Sequence, residues 1–230
     1  FALVVALRIY GKHTNAAFKM PWIIVILAFP VFGLCIYGLF GHKEAMHKII
    51  RKFEDVDAQL VPLNLQDETV VERLEAEDPM AANQCYYIRK YGNYPVYDAT
   101  DVKFYPEAYL GYEEQLKELE KAKHFIFLEY HAIEEAEAFA RLKDVLARKA
   151  AEGVEVRILY DDVGCIGFLD KSFIDRMNAI GVQCRVFNYV VPFLNIFMNN
   201  RDHRKIMIID GKVGFTGGYN LADEYFNITH

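Results

Sequence analysis

Residues His203 to Asn220 read HRKIMIIDGKVGFTGGYN, and the geometry of this stretch sets the reading of the whole chain. β-Prone residues fill His203 to Ile209 and Val213 to Thr216, with Asp210-Gly211 between them. That is a hairpin signal, because Asp-Gly accepts the positive φ a tight turn requires. Side chains two apart on a strand point the same way. His203 and Lys205 are therefore expected on one face, with Arg204, Ile206 and Ile208 on the other. An imidazole beside an ammonium can hold an oxyanion, the ring attacking while the ammonium neutralises charge. Gly217-Gly218 lets backbone approach closely at the strand end, and Asn220 adds an amide donor. An incidental surface hairpin is the plain alternative, but it would not fix so many identities at once.

Upstream of the hairpin the chain alternates β and α. Val102–Tyr105 reads as a short strand, Ala108–Lys121 as a helix, and His124–His131 (HFIFLEYH) as a strand. Glu135–Glu152 reads as a helix with Gly153 as its C′ residue, and Val154–Tyr160 as a strand. A helix over Phe168–Ile180 stopped by Gly181, and a strand over Val182–Phe187, complete the series. The expected class is α/β, a mostly parallel sheet with helices on both sides. Active sites in open α/β sheets lie beyond strand C-termini, so Glu129, His131, Asp161 and Asp162 are weighed as well. Capping or turn chemistry competes for the two aspartates, and a structural role is favoured for His131.

The N-terminal part is of another kind. Met20–Phe40 (MPWIIVILAFPVFGLCIYGLF) carries no charge, and about twenty helical residues at roughly 1.5 Å each match a ~30 Å hydrocarbon core. Trp22 and Tyr37 stand near its ends, where amphipathic rings favour the headgroup level. Phe1–Leu7 reads as the tail of an earlier span, giving a membrane hairpin over 1–41 with its second span at 20–40. Residues 42–100 form a mostly helical linker region and 101–230 the α/β body. In the linker, the acidic run from Asp67 to Asp78 reads as a solvated face rather than a metal site. Tyr86, Tyr87, Tyr91, Tyr94 and Tyr97 read as core packing, with a membrane surface as the alternative.

The formal net charge of −6 is unevenly spread. Arg8, Lys12 and Lys19 are unopposed within 1–40, and Lys43, Lys48, Arg51 and Lys52 face only Glu44 within 41–52. The acidity therefore lies in the body, which argues against a nucleic-acid partner. The basic residues beside the span suit anionic headgroups or a topology signal. Cys35, Cys85, Cys165 and Cys184 have no metal-like spacing and read as reduced, buried thiols.

The spacing His-x-Lys-x4-Asp-x6-Gly-Gly-x-Asn resembles the signature of the phospholipase D superfamily. The membrane hairpin ahead of it, with HFIFLEYH and Asp161–Gly164, is similar to bacterial cardiolipin synthases within that superfamily. The resemblance implies a phospholipase D-like half-domain; with the membrane hairpin, the expectation is a multi-pass plasma-membrane protein, its body placed in the cytoplasm by a narrow margin of basic residues beside the span. It implies transfer between two phosphatidylglycerols, giving cardiolipin and glycerol through a phosphatidyl-histidine. His203 would be the nucleophile, and Lys205 and Asn220 would hold phosphate oxygens. The lysine makes a metal unnecessary, so no cofactor is expected. Asp210 belongs to the catalytic signature, yet at roughly 3.3 Å per residue it lies some 20 Å from an extended His203, which suits a supporting role. Single-chain members carry two signature copies, and here only His203 is followed two residues on by Lys. The chain starts at Phe1 and stops at His230, so the second copy is expected beyond that point, with a pair of chains as the alternative. Asp223 and Glu224 are candidates for the acid that orients His203. A phospholipase D-type hydrolase and an inert membrane-anchored fragment remain as rival readings.

Overall fold

A computed structural model describes residues 1–13, 15–41, 44–190 and 201–227, with backbone alone for 44–50. Lys43 and the side chain of Lys48, named above among the basic residues, lie outside the described residues. The chain divides into two compact units, Phe1–Asp101 and Val102–His230.

The first unit is helical: α1 (Ala2–Tyr10), α2 (Ala16–Ala28), α3 (Pro30–Phe40), α4 (Glu44–Leu60), α5 (Glu68–Glu77) and α6 (Pro79–Gly92). The 20–40 run is not one continuous helix: it breaks at Phe29. Proline removes an N–H and pushes the residue before it out of the helical region; Phe29 accordingly sits at φ −133, ψ 75 and Pro30 opens a new helix. The two arms fold back on each other. Trp22 meets Tyr37 edge-on at 5.4 Å, and a Cβ on Gly33 would stand 2.6 Å from the Val25 carbonyl oxygen. Among the described residues no helix is long and apolar enough to cross a membrane. The expected thiol burial also fails here, since Cys35 is exposed.

In the linker, Asp67 accepts from the Thr69 amide and Asp78 from those of Met80 and Ala81, capping α5 and α6. The tyrosines expected as core are a correction: Tyr86, Tyr87, Tyr91, Tyr94 and Tyr97 are all exposed. Those on α6 lie on its outer surface, where a phenol keeps its hydroxyl in water.

The second unit runs α7 (Ala108–Glu120), β1 (Phe125–Tyr130), α8 (Glu137–Ala151), β2 (Glu155–Asp161), α9 (Phe173–Ala179), β3 (Gln183–Phe187), β4 (Lys205–Ile209) and β5 (Val213–Thr216). The expected strand over Val102–Tyr105 does not form, and Val102 and Phe104 are exposed. The helix expected from Phe168 starts only at Phe173, because the Asp170 carboxylate takes the Ser172 amide and hydroxyl in a local turn.

The sheet order is β3-β2-β1-β4-β5, with β1, β2 and β3 parallel and β4 and β5 antiparallel to their neighbours. It is thus mixed rather than mostly parallel. Its helices pack on one face, against Ile126, Leu128, Val156, Ile158, Met207 and Ile209. The expectation of helices on both faces is corrected by topology. The chain steps from β1 to β2 to β3 in one direction, and right-handed crossovers made in one direction fall on one side. Among the described residues of this unit the other face stays open, as a shallow cavity of about 470 Å³ floored by Phe127, Leu159, Ile206 and Ile208.

The hairpin turn is as the sequence predicts. Asp210 and Gly211 have φ of 53 and 65, and the Lys212 amide donates to the Ile209 carbonyl at 3.0 Å. The Asp210 carboxylate does more. It accepts the amides of Lys123, His124 and Phe125, each at 2.8 Å, and so ties the turn to the start of β1. The Phe125 amide first, then those of Lys123 and His124, hold its pKa down at about 2. The stabilisation is thus present above the unfolded value of ~3.9 and lost as pH falls through about 2. Asp210→Ala in the full-length protein is expected to cost about 2 kcal/mol at neutral pH, charged hydrogen bonds discounted for partial exposure. Thermal unfolding checks this, and the gap between variant and parent should close as pH drops from about 4 towards 2.

Candidate active site

Because β4 runs antiparallel to β1, its first residue lies beside the last residue of β1, with Lys205 opposite Tyr130. The C-terminal ends of β1, β2 and β5 and the start of β4 therefore share one edge of the sheet. His131, Asp161 to Gly164, Arg201 to Lys205 and Gly217 to Asn220 all follow or precede these strand ends. This is where ligands bind in open α/β sheets.

His203 is exposed and lies two residues ahead of β4. Lys205 is buried, on the helix-covered face with Met207 and Ile209. Its Nζ donates to the carbonyl oxygen of His203 at 3.0 Å. Burial draws the Lys205 pKa below its ordinary value, against the opposing pull of Asp202. Asn220 is buried too. Its Oδ1 accepts the Ala132 amide at 3.1 Å and its Nδ2 donates to the Tyr225 hydroxyl at 3.0 Å. A parallel bridge of Ile133 to Leu221 pins this segment against the end of β1. A primary amide has two N–H groups, so one remains for a ligand oxygen.

Gly217 and Gly218 reach the same edge, but nothing in the fold itself demands glycine there. A Cβ on Gly218 would meet nothing within 4 Å, and on Gly217 only the ring of Tyr219 at 3.4 Å. Asp210 stands at the opposite end of β4, bound to the backbone amides ahead of β1. Its carboxylate is held by those three amides, in keeping with the supporting role expected of it. Asp223 is likewise committed, its carboxylate taking the amides of Glu137 and Ala138 at 3.1 and 2.7 Å in the first turn of α8. Glu224 is exposed.

Three residues weighed only lightly in the sequence belong to this edge. Asp161 is fully buried. It accepts the amides of Gly164 at 3.0 Å and Asp202 at 2.8 Å and faces the Arg201 guanidinium at 3.3 Å, fixing the backbone just ahead of His203. His131 Nδ1 lies 2.8 Å from the Asp202 carbonyl oxygen. Asp202 shares the Arg204 guanidinium with Glu129, at 2.9 and 2.7 Å. The available signal was position: His131 and Asp161 each end one of two neighbouring parallel strands.

The Glu129–Asp202 pair titrates together. Burial first, then the adjoining Asp202 carboxyl, pushes Glu129 up to about 7. Burial also works to raise Asp202, yet hydrogen bonding to Glu129 and Arg204 outweighs it and holds Asp202 low. Among the described residues the buried Asp202 Oδ2 has no hydrogen-bond partner, so a proton on the neighbouring Glu129 is favoured. A carboxyl raised in the folded state stabilises fully below its unfolded value and loses that contribution as pH rises through about 7. Glu129→Gln is expected to flatten the stability profile between about pH 4.5 and 7, by on the order of 2 kcal/mol. Thermal unfolding of variant and parent across that window measures it, and parallel profiles would contradict the pairing.

Comparison with known proteins follows the same lines. A family model described as cardiolipin synthase, PLD-like domain matches residues 116–230. A second, described as phospholipase D-nuclease N-terminal, matches residues 1–42. A cardiolipin synthase of Geobacillus kaustophilus is 38% identical over 229 residues, covering 97% of this chain and 44% of its own. An uncharacterized protein of Streptococcus mutans is 35% identical over 209 residues, 90% of this chain and 45% of that one. The chain thus spans less than half the length of these curated relatives. Among solved structures, Nuc of Salmonella typhimurium, a phospholipase D family member, aligns with a TM-score of 0.37 at 19% identity, over 49% of this chain and 66% of Nuc.

Proposed function

Because the chain belongs to the family of cardiolipin synthase, phospholipase D-like domains, we propose that it is the N-terminal part of a phosphatidyltransferase. The reaction joins two phosphatidylglycerols into cardiolipin and releases glycerol. What supports this reading is the hydrogen bond of buried Lys205 to the His203 carbonyl, with buried Asn220 held beside the end of β1 on the same sheet edge.

In this reading an imidazole nitrogen of His203 attacks the phosphorus of the first lipid. The phosphorus–oxygen bond to the glycerol headgroup breaks, and that oxygen takes a proton from an imidazolium and leaves as glycerol. The headgroup hydroxyl of a second phosphatidylglycerol then attacks the phosphatidyl-histidine. Its proton passes back to the imidazole base, the phosphorus–nitrogen bond breaks, and His203 is restored. Lys205 and the spare Asn220 N–H stabilise the charge that grows on the phosphoryl oxygens, with Gly217 and Gly218 leaving room beside them. Lys205 supplies the positive charge a metal would otherwise bring, so no cofactor is invoked.

The imidazolium that protonates glycerol comes, on this reading, from a second His-x-Lys half in the remaining length of the protein or in a second chain. Residues 42–100 serve as the linker and 101–230 as the half-domain. We assign residues 1–41 to membrane attachment, supported by the exposed Phe29, Val31 and Phe32 at the hairpin tip and the charge-free run. The protein is then multi-pass in the plasma membrane with its second unit cytoplasmic, and α2 and α3 must straighten at Phe29 if that run spans the bilayer. No nucleic acid takes part.

The test is product analysis with the full-length protein in phosphatidylglycerol vesicles. Cardiolipin and free glycerol in equal amounts are expected. Phosphatidic acid without cardiolipin would reassign the protein as a hydrolase.

A further inference from the structure

Tyrosine gathers in one part of the first unit without entering its core. Tyr86, Tyr87, Tyr91, Tyr94 and Tyr97 are each 60 to 68% exposed. Met80, one and two helical repeats ahead of Tyr87 and Tyr91 on α6, is exposed with them. The rings of Tyr87 and Tyr91 stand 4.7 Å apart. The Lys90 ammonium, without a carboxylate partner among the described residues, stands 5.3 Å and 5.5 Å from the rings of Tyr86 and Tyr91. These four side chains therefore make one continuous surface, and an open aromatic surface of this kind marks a contact with something outside the chain.

Charge is divided between the two arms of the helical pair. From Asp67 to Asp78 the chain carries six acids against Arg73, whereas from Pro79 to Tyr97 it carries Arg89 and Lys90 and no acid. Arg89 meets Glu68 at 2.9 Å, and Gln66 exchanges hydrogen bonds of 3.0 and 2.7 Å with Val96, so the end of α6 is held against the start of α5. The other open apolar stretch of this unit is of a different kind. On α4, Phe53, Val56 and Leu60 are exposed, but Glu54, Asp55 and Asp57 stand among them, and anionic headgroups repel those carboxylates.

We propose that the tyrosine face of α6, with Tyr94 and Tyr97 after it, is an interfacial membrane contact that lies among the headgroups of an anionic bilayer. The inference rests on assigning residues 1–41 to membrane attachment, which brings the first unit to the bilayer. Phenols suit that depth, with the ring at the acyl boundary and the hydroxyl in the hydrated layer. Lys90 lays its methylenes along the rings while its ammonium reaches lipid phosphate. The acidic arm is the one left to water. A second copy of the chain fits the same surface less well: a two-fold contact sets each patch against itself, and no acid within 79–97 answers Lys90 there. With this contact made, the chain between bilayer and α7 shortens from everything after Gly41 to residues 98–107, which raises the effective concentration of the second unit at a lipid substrate.

The test uses the full-length protein in phosphatidylglycerol vesicles. An environment-sensitive fluorophore is attached at Tyr87→Cys and, in a separate variant, at Glu75→Cys on α5, with other exposed cysteines changed to serine. At position 87 the emission should shift to the blue, nitroxides carried on lipid headgroups should quench it, and aqueous iodide should not. At position 75 iodide should quench and the lipid nitroxides should not. Equal iodide quenching at both positions, in protein that floats with the vesicles, would overturn the proposal and leave attachment through residues 1–41 intact. Shielding from iodide at position 87 without quenching by lipid nitroxide would also overturn it, in favour of a protein partner. Protein that does not float would remove both readings. Turnover gives a measurement free of the label: Tyr86→Ser, Tyr87→Ser and Tyr91→Ser together should slow phosphatidylglycerol consumption several-fold on vesicles and leave it unchanged on a short-chain phosphatidylglycerol dissolved as monomers. An equal loss on both substrates, or no loss on vesicles, would contradict the proposal.

Discussion

His203→Ala in the full-length protein is expected to abolish cardiolipin formation, by at least about 10⁴-fold, and to leave no acid-stable phosphorus on the polypeptide. The size follows from the role. A covalent mechanism that loses its nucleophile keeps only binding and charge stabilisation. His203 is exposed, and among the described residues it meets the ring of His131 and, through its own carbonyl, the Lys205 ammonium. The backbone carbonyl survives truncation, so thermal stability should change by under about 1 kcal/mol, as for surface substitutions. Loss of turnover with an unchanged melting curve is the outcome that separates chemistry from misfolding. Retained labelling would send the search for the nucleophile elsewhere.

Lys205→Met is expected to reduce turnover by about 10²–10³-fold, the usual loss when one preorganised donor to a developing oxyanion is removed. Unlike most damaging substitutions in a core, it should leave the fold as stable as before, or more so by about 1 kcal/mol. A buried ammonium carries a desolvation cost, visible in its lowered pKa, and methionine fills the same space without that cost. The measurements are product formation and thermal unfolding on one preparation. A fall in both together would mean that Lys205 is chiefly structural, and the phosphate-binding role would lapse.

Local rules were enough to read the hairpin, most of the helices and strands of the second unit, and the chain positions of His203, Lys205 and Asn220. Asp210-Gly211 determines its turn by backbone conformation alone. What remained hidden depended on contacts between distant segments. The spacing of Asp210 marks it as one of a set with His203 and Lys205, whereas its partners are amides some eighty-six residues earlier in the chain. The one-sided sheet follows from the order in which strands are laid down, which periodicity does not report. The 20–40 run illustrates a different limit. Pro30 is visible in the sequence and tolerable in a spanning helix when neighbours satisfy the freed carbonyl, so hydropathy alone does not tell a kink from the break at Phe29. His131 could not be distinguished from an ordinary histidine, because β1 and β4 must pair before it meets His203.

The hydrogen bond from the Lys205 ammonium to the His203 carbonyl acts as a latch on the unloaded site. It gives a buried cation an oxygen to rest on. On the proposed reading, a phosphate diester at this edge offers the same ammonium a better acceptor, and the peptide it held is let go. Occupancy would thus be transmitted to the main chain of the nucleophile itself, and the carbonyl carbon of residue 203 becomes a spectroscopic gauge of lipid capture before any bond is broken.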